Sequence, residues 1–143
     1  MNKIALIGAG GKMGLRLATN LKETKYEVSH VEISPEGQDR FKQETGLSCV
    51  PREQAITAAD AVILAVPDRL IGKVLAEFIT ELKPGTAIIM LDAAAPHAGT
   101  LPDRSDITYF VAHPCHPPLF NNETEPNAQK DYFGGIAAKQ HII

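Results

Sequence analysis

The chain opens on Lys3-Ile4-Ala5-Leu6-Ile7-Gly8-Ala9-Gly10-Gly11-Lys12-Met13-Gly14, an apolar run leading directly into a glycine turn and then a helical pattern. A short, wholly apolar run predicts a strand buried on both faces, which is the habit of a parallel sheet. The glycines allow a tight turn and let backbone approach an anion at the N-terminus of the following helix, where unpaired N–H groups and the helix dipole favour negative charge. Two registers of the G-x-G-x-x-G pattern fit. Counting from Gly8 places Met13 at the third glycine position, and counting from Ala9 ends on Gly14. The expectation is that Gly8, Ala9, Gly10, Gly11, Lys12, Met13 and Gly14 cradle the pyrophosphate of a dinucleotide.

What surrounds the turn strengthens that expectation. Met13, Leu17 and Leu21 recur at helical spacing, and Tyr26–Ile33 reads as a second strand at βαβ distance, with Glu32 at its end. A carboxylate about twenty residues beyond such glycines accepts hydrogen bonds from the adenosine ribose hydroxyls and repels a ribose phosphate, so NAD is favoured over NADP. The plainer alternative for Glu32 is a solvated acid at a strand end.

Strand and helix patterns then alternate. Ser34-Pro35-Glu36 gives a capping residue, a proline at the first helical position and an acid in the first turn, predicting a helix to about Thr45 with Gly46 as its stop. A short strand is expected near Leu47–Val50, a short helix opening at Pro51-Arg52-Glu53, and an apolar strand from Asp60 halted by Pro67. The carboxyl end of that strand, Ala65-Val66-Pro67, is expected beside the glycine turn and therefore against the cofactor. Leu70, Ile71, Val74, Leu75, Phe78, Ile79 and Leu82 form one helical stripe closed by Lys83-Pro84-Gly85; strands are expected at Thr86–Leu91 and Ile107–Ala112, and a last one within Ile136–Ile143 that stops with no turn after it. The fold class that follows is α/β: a Rossmann doubly wound parallel sheet with helices on both faces, residues 1–143 forming one dinucleotide-binding domain. The uncapped final strand suggests a fragment of a longer two-domain polypeptide.

At 143 residues, 44% of them hydrophobic, the chain suffices for one core burying roughly two thirds of its unfolded surface. A net charge of −3 without a Lys/Arg cluster argues against nucleic acid, whose binding draws on released counterions. No apolar run reaches the ~18 residues of a membrane span, so no membrane partner is expected and a cytoplasmic location is. Cys49 and Cys115 are too few for a disulfide framework.

In an open α/β sheet the ligand lies outside the carboxyl ends of the strands, which directs attention to the loops after Ile7, Val66, Leu91 and Ala112. The last of these, His113 to Asn122, holds two histidines and three prolines in ten residues. Prolines stiffen such a loop enough to hold an imidazole in place. His113 is the acid/base candidate, able to take a hydroxyl proton as hydride leaves for nicotinamide, and His116 is the second. The plainer role for His113 is a hydrogen bond to loop backbone. Metal binding by His113, Cys115 and His116 is not expected, because ligands this close on a proline-braced loop converge poorly. Asp92 is expected either to orient the nicotinamide ribose or a substrate hydroxyl, or to cap the next turn.

Taken together, the Gly8–Gly14 turn, Glu32, Ala61–Pro67, the Asp92 loop and His113-Pro114 resemble the N-terminal domain of the prephenate dehydrogenase and β-hydroxyacid dehydrogenase superfamily, over essentially the whole chain. That resemblance implies an NAD-dependent oxidoreductase, His113 as the residue that abstracts the substrate hydroxyl proton, and a helical C-terminal domain through which a homodimer forms. Two departures point to a different substrate. Ala93, Ala94 and Ala95 stand where the superfamily usually carries a substrate-binding serine, and Cys115-His116-Pro117-Pro118 follows the His-Pro pair where prephenate dehydrogenases have a Met-Phe-Gly type sequence. The His113–Phe120 segment is more similar to phosphogluconate-dehydrogenase-like oxidoreductases, a group that includes sugar-acid enzymes. The function expected is hydride transfer between a hydroxy acid or sugar acid and NAD. The alternatives are a non-catalytic NAD-binding or sensing domain and a prephenate-type dehydrogenase.

Overall fold

The structure is a computed structural model that describes residues 2–115, 124–131, 137–138 and 141–142. It divides into two compact units, one running to Val111 and one from Ala112 onward.

The first unit is built on five parallel strands, β1 (Lys3–Ile7), β2 (Glu27–Val31), β3 (Ala61–Leu64), β4 (Ala87–Met90) and β5 (Thr108–Val111), in the order β2-β1-β3-β4-β5. The side-chain period of two sends alternate residues to opposite faces. Ala5, Ile7, Val62, Leu64, Ile88 and Met90 face a cluster completed by Ile56, Leu75 and Phe78. Ile4, Leu6, Ala61 and Ile63 face a second cluster with Ala18 and Phe41. Helices therefore cover both faces: α1 (Lys12–Leu21) and α2 (Pro35–Thr45) on one, α3 (Arg52–Thr57), α4 (Ile71–Ala76) and α5 (Ala94–His97) on the other. This is the Rossmann-like doubly wound architecture expected. Because the chain passes from β1 outward to β2 and then returns to β3 on the other side, a crevice opens at the carboxyl ends of β1 and β3.

The capping signals of α2 are realised: Ser34 Oγ accepts the Gly37 N–H at 3.0 Å, Pro35 opens the helix, and Gly46 closes it at φ 72°. Two expectations are corrected. Residues 47–50 form no strand: Val50 N–H donates to the His30 carbonyl at 2.8 Å, but the next N–H on that side belongs to Arg52, which already opens α3 behind Pro51. The stripe from Leu70 to Leu82 is not one helix. It breaks into a 3-10 turn at Asp68–Leu70, α4, and a second 3-10 turn at Ile79–Glu81, because Phe78 turns into the core at φ −135°. Arg104 takes up the carbonyls this break releases, donating to Ile79 and, at 2.8 Å, to Leu82.

In the second unit, β6 (Pro114–Cys115) pairs antiparallel with β7 (His141–Ile142), and α6 (Pro126–Lys130) is capped by Glu125, whose carboxylate accepts the Ala128 N–H at 2.8 Å. The strand expected within Ile136–Ile143 is thus described only at β7, which pairs with Pro114–Cys115.

Candidate functional site

The glycine turn is assembled by hydrogen bonds from the ends of three strands. Gly8 and Ala9 donate N–H to the Val31 carbonyl at 2.9 and 3.0 Å, Ala65 N–H donates to the Ile7 carbonyl at 2.9 Å, and Gly11 N–H closes the turn on the Gly8 carbonyl at 3.1 Å. Gly8 sits at φ +83°, a conformation that L side chains rarely adopt, and a Cβ on it would lie 2.5 Å from the Ala65 carbonyl oxygen. A Cβ on Gly10 would meet the Gly37 carbonyl oxygen at 2.6 Å, and one on Gly14 would meet the Cα of Ala9 at 2.7 Å. Gly8, Gly10 and Gly14 are thus glycines because protein backbone packs against them.

Gly11 differs. Its φ of −77° and ψ of 168° suit any residue, and a Cβ there would meet only ordinary contacts at 3.4 and 3.8 Å. Neither the fold nor the packing requires glycine at this position. Gly11 lines a cavity of about 250 Å³ with Ile7, Gly8, Val31, Glu32, Ile33, Arg52, Ala65, Val66, Pro67, Leu70, Val74 and Glu77. It is also the N-cap of α1, which has no side-chain cap and no acid in its first turn, so the first-turn N–H groups are available to an anion.

Glu32 lies on the same cavity, held by backbone. Its Oε2 accepts the Gly10 N–H at 3.0 Å, and its Oε1 accepts the N–H groups of Ile33 and Ser34 at 2.9 and 3.0 Å. With three of about four acceptor positions occupied, the carboxylate keeps room for a further donor. A second cavity of about 490 Å³ shares Val31, Glu32, Ile33 and Arg52 with the first and adds Gln38, Cys49, Val50, Pro51 and Glu53. The Cys49 thiol is pushed up from its ordinary pKa by burial first and by the Glu32 charge second, which keeps it protonated.

The structure therefore brings Gly8, Gly11, Glu32, Ala65, Val66 and Pro67 to one cavity. Ala9 is buried beneath the turn, and Gly10, Lys12, Met13 and Gly14 do not line the cavity. Asp92 also lies off it, and its Oδ1 accepts the Ala94 N–H at 2.7 Å, the turn-capping role that was the alternative for it. His113 is exposed in the second unit, and His116 lies outside the described residues. Among the described residues no three His, Cys, Asp or Glu side chains gather as a metal site. No helix among them is long and apolar enough to cross a membrane.

Three residues that sequence reasoning missed shape the site. Gly37 leaves space for the Glu32 side chain, since a Cβ there would come within 2.7 Å of Glu32 Cγ. Arg40 grips the Gly10 carbonyl through Nε at 2.9 Å and Nη2 at 2.5 Å. Arg52 lines both cavities, its guanidinium 2.8 Å from Glu77 Oε2 and 5.7 Å from the centre of the Phe78 ring. A glycine inside the first turn of a helix carries a propensity cost and was the one available signal for Gly37.

The chain is 63% identical over 140 residues to the D-apionate oxidoisomerase of Cupriavidus necator and 59% identical over 143 residues to that of Rhizobium rhizogenes. Those alignments take in 98% and 100% of the chain but 51% and 52% of the relatives, so the chain spans about half the length of the curated relatives it matches. A crystal structure described as a semialdehyde dehydrogenase NAD-binding protein from Cupriavidus necator, in complex with calcium and NAD, superposes with a TM-score of 0.89 at 62% identity, covering 99% of this chain and 51% of that one. The sugar-acid oxidoreductases that the His113–Phe120 segment resembles include the apionate oxidoisomerases, so the named relatives fall within the expected group. Residues 3–96 match the sequence pattern of one family throughout the glycine turn and the first four strands, and the chain belongs to that family, described as NADP oxidoreductase, coenzyme F420-dependent.

Proposed function

We propose that the chain is the dinucleotide-binding part of an NAD-dependent oxidoreductase that moves hydride between a hydroxy acid or sugar acid and the nicotinamide. The observation that carries this reading is Gly11, a glycine that the fold does not need, lining a cavity shared with Glu32. A side chain there would occupy the space through which a pyrophosphate reaches the first-turn N–H groups of α1. Glu32 supports NAD over the NADP of the family description, because its charge stands where a ribose phosphate would have to be accommodated. Ala65, Val66 and Pro67 form the wall on the β3 side of the same cavity.

Bound NAD supplies the hydride acceptor at its nicotinamide. The protein's part is to take the proton from the hydroxyl oxygen borne by the carbon that loses hydride, as that C–O bond becomes a carbonyl. His113 is assigned that proton, with His116 as the competing imidazole, because neutral imidazole is a competent base near neutral pH. The substrate class follows the relatives, which are named for D-apionate, and the alanines at 93–95 in place of a serine argue against a prephenate-type substrate. The relatives' additional half is assigned the rest of the substrate pocket and the homodimer contact. A chimera joining this chain to the remaining half of the Cupriavidus necator relative tests the reading: NADH should form with sugar acids, and absence of NADH with every hydroxy and sugar acid tried would overturn it.

A further inference from the structure

Gly10 belongs to the turn but not to the cavity wall, and it is the most tightly held residue of the turn. Its N–H donates to Glu32 Oε2 at 3.0 Å, while its carbonyl accepts both Nε and Nη2 of Arg40, at 2.9 and 2.5 Å. Each of these groups belongs to a rigid plane. The N–H of Gly10 shares its peptide with Ala9, and the carbonyl of Gly10 shares its peptide with the N–H of Gly11. Glu32 therefore holds the first plane, and Arg40 holds the second at its carbonyl end. Consecutive glycines have wide backbone freedom, so the Gly10–Gly11 peptide takes its orientation from its partners: inside the turn its N–H donates to the Gly8 carbonyl at 3.1 Å, and from outside Arg40 grips its carbonyl.

We infer that Arg40 is a positioning residue for dinucleotide binding: by forking onto the Gly10 carbonyl, opposite the Gly11 N–H that closes on Gly8, it locks the peptide plane from which α1 starts and so holds the first turn of α1 in place for the pyrophosphate. The inference rests on the dinucleotide reading above. Arg40 reaches the turn from α2, the helix that starts just after Glu32, so one short segment holds both the acid and the turn in register. Guanidinium suits this task because its donors are fixed in a planar fork, whereas a lysine ammonium is a single flexible point of charge.

Titration of the 143-residue chain with ADP-ribose and with adenosine, for the unaltered protein, Arg40→Gln and Arg40→Lys, tests this. Adenosine has no phosphate and reads the Glu32 end alone. Arg40→Gln should weaken ADP-ribose about tenfold, equivalent to about 1.4 kcal/mol, and leave adenosine unchanged. Arg40→Lys should recover only part of the loss. Should Arg40→Gln fail to fold, Arg40→Lys alone decides, an ADP-ribose deficit with unchanged adenosine supporting the inference. Full recovery by lysine would reduce Arg40 to a bulk charge, equal weakening of both ligands would make its role one of general folding, and an unchanged ADP-ribose affinity would remove the role; each overturns the inference. If the unaltered chain binds neither ADP-ribose nor NAD, the dinucleotide reading falls and this inference with it.

Discussion

Glu32 Oε2 accepts the Gly10 N–H at 3.0 Å, tying the acid assigned to the ribose directly to the turn assigned to the pyrophosphate. The same carboxylate accepts the Ile33 and Ser34 N–H groups on its other oxygen. Glu32→Gln should therefore lower stability as well as NAD affinity. Whichever way the amide is oriented, its NH2 faces a backbone donor, at a cost of about 1–3 kcal/mol. Chemical denaturation alongside calorimetric titration reads both effects, and a variant as stable and as tight as the parent would contradict the arrangement.

Gly10 and Gly11 are adjacent yet should respond oppositely to substitution. Gly10→Ala drives a Cβ to within 2.6 Å of the Gly37 carbonyl oxygen and should destabilise the fold by about 1–3 kcal/mol, as overpacking does. Gly11→Val should fold and lose NAD binding, since the added side chain enters the cavity. Circular dichroism and titration separate the two outcomes. A Gly11→Val protein that binds NAD normally would remove the glycine turn as the phosphate site.

The parts of this site legible in the sequence were those encoded locally. The apolar run Ile4–Ile7, the Ser34-Pro35 cap and the Gly46 stop each specify their own conformation, and the structure realises them. Arg40, Gly37 and Arg52 were not legible, because their roles depend on how closely α2 and α3 approach the turn, a distance that no local pattern carries. The break at Phe78 was hidden for a similar reason. A stripe of apolar residues predicts a helix whether or not one of them turns inward, and the Arg104 contacts that stabilise the break come from residues distant in sequence.

Stability should depend on pH through His30. It is buried against Phe41, ring centres 4.9 Å apart, and its Nε2 has no hydrogen-bond partner among the described residues. Burial lowers its pKa, so the unfolded chain binds the proton more readily between the lowered value and the ordinary ~6.5. Stability should be full above about pH 6.5, decline as pH falls through that window, and level off below it. Urea denaturation at about pH 7.5 and about pH 5.5 should show this decline in the parent and a smaller one in His30→Phe. An identical decline in both proteins would assign it to other groups.

The catalytic assignment is tested in the chimera with the Cupriavidus necator relative, since the chain alone is expected to show no turnover. His113→Asn should lower turnover by roughly 10²- to 10⁴-fold with little change in NAD affinity. His116→Asn, measured in parallel, should have the smaller effect. Loss confined to His116→Asn would reverse the two roles, and loss in neither would remove the histidine segment from the mechanism.

The most direct test of the central claim is calorimetric titration of the unaltered chain with NAD and with NADP. The Gly11 cavity and the Glu32 charge predict that NAD binds and that NADP binds at least roughly 30-fold more weakly, corresponding to about 2 kcal/mol for a phosphate set against a carboxylate. Equal affinities, tighter NADP binding, or no binding of either would contradict the account.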